Sequence, residues 1–283
     1  MLRIRIVLAV LVAVTPAGAA VSVSRYLEVD QMVGGVADAR PAFAAVAAKV
    51  GTCPEIGREA GPHVRCLLAA LDEFRQDGDG KLSTLLLERR ADPYSVTAAL
   101  LLLHGDPARL HAVVLGAHVL IGLSGNDDWY FDPLNGGREM TAGYAFSTYG
   151  LPFSRAEQAD VDLFLGHYAA RLGAASPSEK LYRLAVKAAP GSARVRYAFG
   201  AWLLRQNRLD EARDQLAKST ELGPDDFDAW MDRGTALEKA GRFKAARRSY
   251  AQALRVDPRS KAAAEKVRAM DVKIDAEAAK DEP

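Results

Sequence analysis

Three short stretches carry residue types that covalent hydrolysis uses. In "LERRADPYSV", Leu87–Val96, a charged run gives way to Asp92 and Pro93 at the start of an apolar helical stretch. "GAHVLIGL", Gly116–Leu123, is apolar and β-branched in part, which predicts a strand carrying His118. "YFDPLNGG", Tyr130–Gly137, puts Asp132 at the end of a second strand, ahead of a turn. A nucleophile opening a helix, then a strand histidine, then a strand aspartate is the layout of a cysteine hydrolase. In such a site the helix N-terminus and the histidine lower the thiol pKa, and the aspartate orients the imidazole. Here Pro93 stands at the nucleophile position. Asp92 and Pro93 suit helix initiation instead, since aspartate is a favoured N-cap and proline in the first turn forfeits no hydrogen bond. Ser95 is a poor substitute nucleophile, because two residues of helix turn its side chain away from the cysteine direction. His118 and Asp132 keep two readings. They form either a remnant dyad that holds a ligand or moves a proton, or a histidine fixed by a buried carboxylate in support of the sheet.

The elements that must position these residues follow from periodicity. "DARPAFAAVAAKV", "HVRCLLAALDEF" and "KLSTLLLERR" have apolar residues at helical spacing. From Leu110 the pattern changes: "LHAVVLGAHVLIGL" is apolar and β-branched, and "DDWYFDP" follows a "SGND" turn. A small antiparallel sheet packed on helices is expected, making residues 25–153 an α+β domain. "LPFSRAEQAD" then leads into a different kind of sequence.

That second part repeats. Gly166, Gly200 and Gly234 recur every 34 residues, as do Pro190, Pro224 and Pro258. Ala212 and Ala246 keep the register, as do Tyr182, Leu216 and Tyr250, and Ala185 and Ala253 match between the first and third units. The pattern resembles the tetratricopeptide repeat, a pair of antiparallel helices in which small residues allow close packing and the proline closes the second helix. Three repeats are expected, at 159–192, 193–226 and 227–260. The first is the weakest, with Ser178 where the small alanine belongs. Residues 261–283 are helix-forming and mostly polar, as a capping helix and tail of a solenoid must be.

The motifs of the first domain resemble the bacterial SirB1-type transglutaminase-like family. Its members typically run Leu-Glu-Arg-Arg-Gly-Asn-Pro-x-Ser-Leu, then a Pro-Gly-His-Phe strand, then Asp-Pro-x-Asn-Gly-Gly. This chain has Leu87, Glu88, Arg89, Arg90, Ala91, Asp92, Pro93, Tyr94, Ser95 and Val96. Gly116, Ala117, His118 and Val119 follow, then Asp132, Pro133, Leu134, Asn135, Gly136 and Gly137. Ala91, Ala117 and Val119 depart from the family pattern. The resemblance covers roughly residues 60–150 and gains weight from the repeats behind it, which many members share. It implies a transglutaminase-like (papain-like) α+β domain followed by an all-α tetratricopeptide solenoid. It also implies that the proline-bearing form is common in the family, so the missing cysteine need not be a loss peculiar to this chain.

The remaining features bound location and partners. "MLRIR", the apolar "IVLAVLVAV" and the small-residue stretch with Ala17-Gly18-Ala19 predict a secretory signal peptide over residues 1–20, an uncleaved signal anchor being the alternative. The apolar run falls short of the roughly 20 residues a spanning helix needs, so no membrane span is expected after cleavage. In an exported, periplasmic or secreted protein the only cysteines, Cys53 and Cys66, most simply form a disulfide worth roughly 3 kcal/mol. The competing reading makes Cys66 a nucleophile opening a helix, in a cysteine-type peptidase, amidase or acyltransferase with His118 and Asp132. "RQDGDGKLSTLL" resembles the heart of a calcium loop through Asp77, Asp79, Gly80 and Ser83, but Arg75 and Leu86 occupy the first and last ligand positions. A solvated turn is the simpler account, and no metal or cofactor is expected. With 49% hydrophobic residues, 26% charged residues and a formal net charge of +1, nothing suggests a phosphate-neutralising surface, so nucleic acid is excluded as a partner.

The repeats offer the better working surface. The first helix of each pair lines a concave groove, and residues four apart share a face. That face carries Leu163, His167 and Arg171, then Tyr197, Ala201 and Arg205, then Met231, Thr235 and Lys239. Arg171, Arg205 and Lys239 would form a basic ladder able to accept peptide carboxylates, or else solvated charges that complement helix C-termini. The expectation is a non-catalytic, exported scaffold that docks a protein or peptide in the groove.

Overall fold

The computed structural model describes residues 23–34, 38–56, 60–106, 109–115, 118–124, 126–149, 157–159, 161–175 and 178–279. The expected signal peptide and most of "LPFSRAEQAD" lie outside the described residues. No helix among the described residues is long and apolar enough to cross a membrane. The chain divides into two compact units between 176 and 177. Thirteen α-helices and five strands are described.

In the N-terminal unit, α1 (Val23–Met32), α2 (Arg40–Val50), α3 (Gly61–Ala70) and α4 (Leu82–Glu88) precede the central helix α5 (Pro93–His104). Nearly every residue of α5 is buried, with Val96, Ala98, Ala99 and Leu100 fully enclosed, which is why its sequence is apolar on all sides. The sheet follows: β1 (Leu110–Leu115), β2 (His118–Leu123), β3 (Asn126–Asp132) and β4 (Arg138–Thr141) are joined by β5 (Glu157–Ala159). Their order is β4-β3-β2-β1-β5 with every pairing antiparallel. The register runs from Leu110 opposite Leu123 to Leu115 opposite His118 in the first hairpin, and Asp132 opposes Arg138 in the last. One face of the sheet, with Val113, Leu115, Leu120, Tyr130 and Met140, packs on Ala142 and Ala145 of α6 (Ala142–Tyr149), while α5 lies against β1 and β2.

The unit closes with α7 (Val161–Ala175), which contacts α1, α5, β1 and β5. Here the structure departs from the expected domain plan, in which residues 159–192 open the repeats. Phe164, Leu165, Tyr168, Ala169 and Leu172 are all buried, so α7 serves as a core helix of the N-terminal unit. An apolar surface that wide needs cover on more sides than a single repeat partner supplies.

The C-terminal unit is a row of antiparallel helix pairs. It contains α8 (Glu179–Ala188), α9 (Ala193–Arg205), α10 (Leu209–Leu222), α11 (Phe227–Lys239), α12 (Phe243–Val256) and α13 (Lys261–Ala278). The period is built into the capping. Ser192, Ser260 and Asp226 each accept a hydrogen bond from the backbone N–H three residues on, at 3.0, 3.2 and 3.1 Å. The repeated glycines let the helices close. A Cβ at Gly234 would come within 2.4 Å of the Tyr250 ring, and one at Gly200 within 2.7 Å of Leu216. Tyr182 stacks on Phe199 at 5.7 Å between ring centroids, joining α8 to the α9–α10 core. Met270 of α13 completes the last cluster with Leu237, Ala246 and Tyr250.

Candidate functional site

Pro93 is the first residue of α5, and Asp92 caps it. The Asp92 Oδ1 accepts from the Ser95 backbone N–H at 2.8 Å, while the Ser95 hydroxyl accepts from the Asp92 N–H at 3.0 Å. Ser95 also donates to the Asp92 carbonyl and is fully buried, which removes it as a nucleophile. Burial pushes the Asp92 carboxyl up, against the pull of Ser95 and of Arg171, whose Nη2 lies 3.9 Å from Oδ2. Arg171 also sits over the Tyr94 ring. The two arginines upstream are structural as well. Arg89 ends α4 in the left-handed conformation and donates to the Leu71 carbonyl at 2.8 Å. Arg90 donates to the Asp77 carbonyl at 2.9 Å.

His118 opens β2 and is exposed, whereas Asp132 ends β3 and is buried. Asp132 Oδ1 accepts from the backbone N–H of Leu134 at 2.9 Å and of Asn135 at 3.3 Å, and the Asn135 side-chain amide donates to Oδ2. The carboxylate thus caps the tight turn Pro133–Asn135. Gln76 ties that turn to the loop before α4 by donating to the Leu134 carbonyl at 2.7 Å.

The calcium-like loop is folded against "RRA". Arg75 donates to the Arg89 carbonyl and Gly78 to the Ala91 carbonyl, at 2.8 and 2.9 Å. A Cβ at Gly78 would meet the Ala91 backbone at 2.5 Å, so the glycine permits the close approach. Asp79 pairs with Lys81 at 2.8 Å and Asp77 with Arg90 at 3.4 Å, while Ser83 is buried. Among the described residues no group of three or more His, Cys, Asp or Glu side chains is placed to hold a metal ion.

Cys53 and Cys66 form a disulfide. Cys66 is the sixth residue of α3 and does not open the helix, so the reading of it as a helix-opening nucleophile is corrected on position and on bonding. The bridge frames a histidine pair. His63 Nδ1 lies 2.6 Å from the Pro54 carbonyl and must donate to it; His63 Nε2 is 3.0 Å from His104 Nδ1 and, in the neutral ring, accepts from it. Burial first, and His63 second, lower the His104 pKa to about 4.

A second buried node has no counterpart in the sequence reading. Asp30 of α1, 1% exposed, accepts from the Ser83 N–H at 2.7 Å and from the Tyr168 hydroxyl, and that hydroxyl accepts from the Leu82 N–H at 2.6 Å. Burial raises the Asp30 carboxyl to about 6 and drives the Tyr168 phenol well up. Asp30 is 138 residues from Tyr168, and local pattern carries no signal of such a pairing.

The expected groove residues fall in two places. His167 and Arg171 belong to α7 of the N-terminal unit, His167 at 4% exposure and Arg171 beside Asp92, so they leave the expected column. Tyr197, Arg205, Met231 and Lys239 are on α9 and α11 of the C-terminal unit. Burial first, and then the charges of Asp232, Asp228 and Asp226, push the Tyr197 phenol up, and burial raises the Tyr182 phenol against the pull of the Arg205 cation. Met231 is half-buried against the Leu237–Tyr250 cluster, and Lys239 is exposed at the end of α11. Glu238 accepts from Tyr250, Lys266 and Lys273 at 2.8, 2.9 and 2.8 Å, which links α11 to α13.

Residues 197–265 match the family model described as tetratricopeptide repeat, and the helix pairs with their 34-residue capping period agree with it. No curated protein matches the chain. Among solved structures, the Arabidopsis OM64 TPR domain is similar at 22% identity and TM-score 0.36, covering 38% of this chain and 96% of that one. The Sgt2 TPR domain from Aspergillus fumigatus is similar at 20% identity and TM-score 0.37, covering 42% and 84%. The second TPR domain of human RPAP3, solved with an HSP70 peptide, is similar at 18% identity and TM-score 0.32, covering 38% and 86%. At these scores the assignment of the repeats rests on the family match and the helix pairing.

Proposed function

We propose that the protein is an exported scaffold in which the face formed by α9, α11 and α13 docks a protein or peptide partner. The observation that carries this reading is the tetratricopeptide match over residues 197–265, in a unit that places Tyr197, Arg205, Met231 and Lys239 on the first helices of its pairs. The N-terminal unit is read as a SirB1-type transglutaminase-like domain without the cysteine nucleophile. Supporting this are Pro93 behind its Asp92 cap, the strand that begins at His118 and the turn that Asp132 closes. On this reading the unit is non-catalytic and presents the repeats in the cell envelope.

A photo-cross-linking residue at Thr235, on the proposed face, against one at Arg255, on the second helix of its pair, tests the docking in the native host. Discrete adducts from position 235 alone are expected; the same adducts from both positions, or none, overturn the reading. The His118→Ala protein is expected to keep those adducts. Mass spectrometry of the envelope fraction is expected to find an N-terminus just after Ala19 or Ala20, and an intact N-terminus would remove signal cleavage from the proposal.

A further inference from the structure

The second helices of the last two pairs carry opposite charge at matching positions. Asp210, Asp214 and Glu221 on α10 stand 34 residues before Lys244, Arg248 and Arg255 on α12. On α10 the acids are answered within the helix: Arg213 reaches Asp210 and Asp214 at 2.8 Å each, and Lys218 reaches Glu221 at 2.7 Å. Helix α12 contains no acidic residue. Its Arg247 pairs with Asp271 of α13, but among the described residues no carboxylate forms an ion pair with Lys244, Arg248 or Arg255, and all three are exposed. Spacings of four and eleven residues set them on one side of the helix, opposite the buried Ala246, Tyr250 and Ala253, in a row about 16 Å long. Lys244 and Arg248 repel each other at that spacing, so the isolated fold gains nothing from the row. Arg233 of α11 adds to it. Its guanidinium donates to the Thr220 hydroxyl at 3.0 Å and sits over the Trp230 ring; burial lowers it, Glu221 raises it and Arg248 lowers it again.

We propose that the outward face of α12 docks on a bilayer surface carrying anionic phospholipid, with Lys244, Arg248 and Arg255 against the headgroup phosphates. This goes beyond the docking reading above and does not depend on it, because that reading uses the first helices of the pairs and α12 is a second helix. A row of long, exposed cations is drawn to a diffuse anionic surface without needing a shaped pocket. A folded protein partner would call for aromatic or aliphatic anchors at the centre of the contact, and among the described residues α12 exposes no large apolar side chain. For the same reason it offers no ring on which nucleic-acid bases could stack. The α10 face is compensated by its own cations. Since α12 is the last second helix among the described residues, a bilayer can lie against it without covering α10.

The full protein is sedimented with vesicles of phosphatidylcholine alone and of phosphatidylcholine and phosphatidylglycerol in equal parts. The neutral vesicles report whatever the apolar stretch near the N-terminus contributes. Binding to the anionic vesicles is expected to be much the tighter and to weaken with added salt. K244Q/R248Q/R255Q is expected to lower that affinity by roughly a hundredfold, each cation being worth about fivefold near such a surface. K244D/R248D/R255E, which writes the α10 residues into α12, is expected to abolish the preference for anionic vesicles; circular dichroism confirms that both variants fold. K239Q/R268Q removes exposed cations from α11 and α13 and is expected to change little. Equal binding of the wild type to the two vesicle types, equal binding of wild type and K244Q/R248Q/R255Q, or a loss per charge in K239Q/R268Q as large as on α12, overturns the proposal. A short DNA duplex or a polyglutamate peptide that binds the wild type more tightly than the anionic vesicles do, and is lost in K244Q/R248Q/R255Q, gives the face to a nucleic acid or an acidic protein and overturns the choice of lipid.

Discussion

Asp30 and Glu238 show how differently the two units treat a carboxylate. In the N-terminal unit Asp30 is enclosed, bound by a phenol and a backbone N–H, and burial lifts it to about 6. Asp92 is raised for the same reason. In the C-terminal unit Glu238 and Glu179 are both held at about 2, Glu179 by hydrogen bonds from Arg208 and Arg183. The repeats have little interior, so their charges stay near solvent and are satisfied by the next helix. The α+β unit has a true interior, where a polar group needs a dedicated partner that sequence neighbours do not supply. Single losses should therefore be costly and local in the first unit, and milder in the second.

The largest expected effect tests the first half of that contrast. Cys53→Ser with Cys66→Ser should lower the stability of the N-terminal unit by roughly 3 kcal/mol, with amide hydrogen exchange in residues 178–279 unchanged. Faster exchange in both units would break the separation. Next, Asp30→Ala strands the Ser83 N–H and the Tyr168 hydroxyl, which should cost about 2 kcal/mol, whereas Asp30→Asn should cost well under half of that. Urea unfolding of the two variants checks the order, and equal costs would mean that packing, not hydrogen bonding, holds the node. Smaller still, Gly234→Ala sets a methyl against the Tyr250 ring; overpacking less the gain in helix propensity should leave a loss of about 1 kcal/mol. It should appear only in exchange of the C-terminal unit.

How much of this was legible follows the same line. Local rules found what is local: the Asp92–Pro93 start of α5, the strands bearing His118 and Asp132, and the Cys53–Cys66 bridge across a short loop. The 34-residue period found Gly200 and Gly234, because a steric requirement repeats with the structure. Period also misled. Arg171 occupies the same register as Arg205 and Lys239, yet α7 is apolar on too many sides to serve as a repeat helix, and Arg171 pairs with Asp92. The acidic run Asp77–Asp79 suggested ligands, but the cations that take it up, Arg90 and Lys81, were visible in sequence only as charge. Nothing local announced Asp30 with Tyr168 or His63 with His104, since such pairs exist only once the core is closed.

The smallest expected effect is a pH profile, and it separates the units by shape. Asp30 has a folded pKa of about 6 against an ordinary 3.8, so its contribution to stability is full below 3.8 and is lost as pH rises through 6. His104 runs the other way: its folded pKa of about 4 against 6.5 means that stability is lost as pH falls from 6.5 through 4. The two occupy nearly the same window in one unit and offset each other, leaving a shallow profile between pH about 4 and 6. In the repeats, Glu179 and Glu238 act together; stability is present above the ordinary 4.5 and falls as pH drops toward 2. Asp30→Asn should expose the histidine term, so that the N-terminal unit weakens on acidification from pH about 6.5 to 4, and His104→Asn should expose the aspartate term, so that it strengthens over the same descent. Thermal melts in steps of pH read both slopes. Parallel profiles for the two variants would show that these buried groups do not govern the unit, and that its charges behave like those of the repeats.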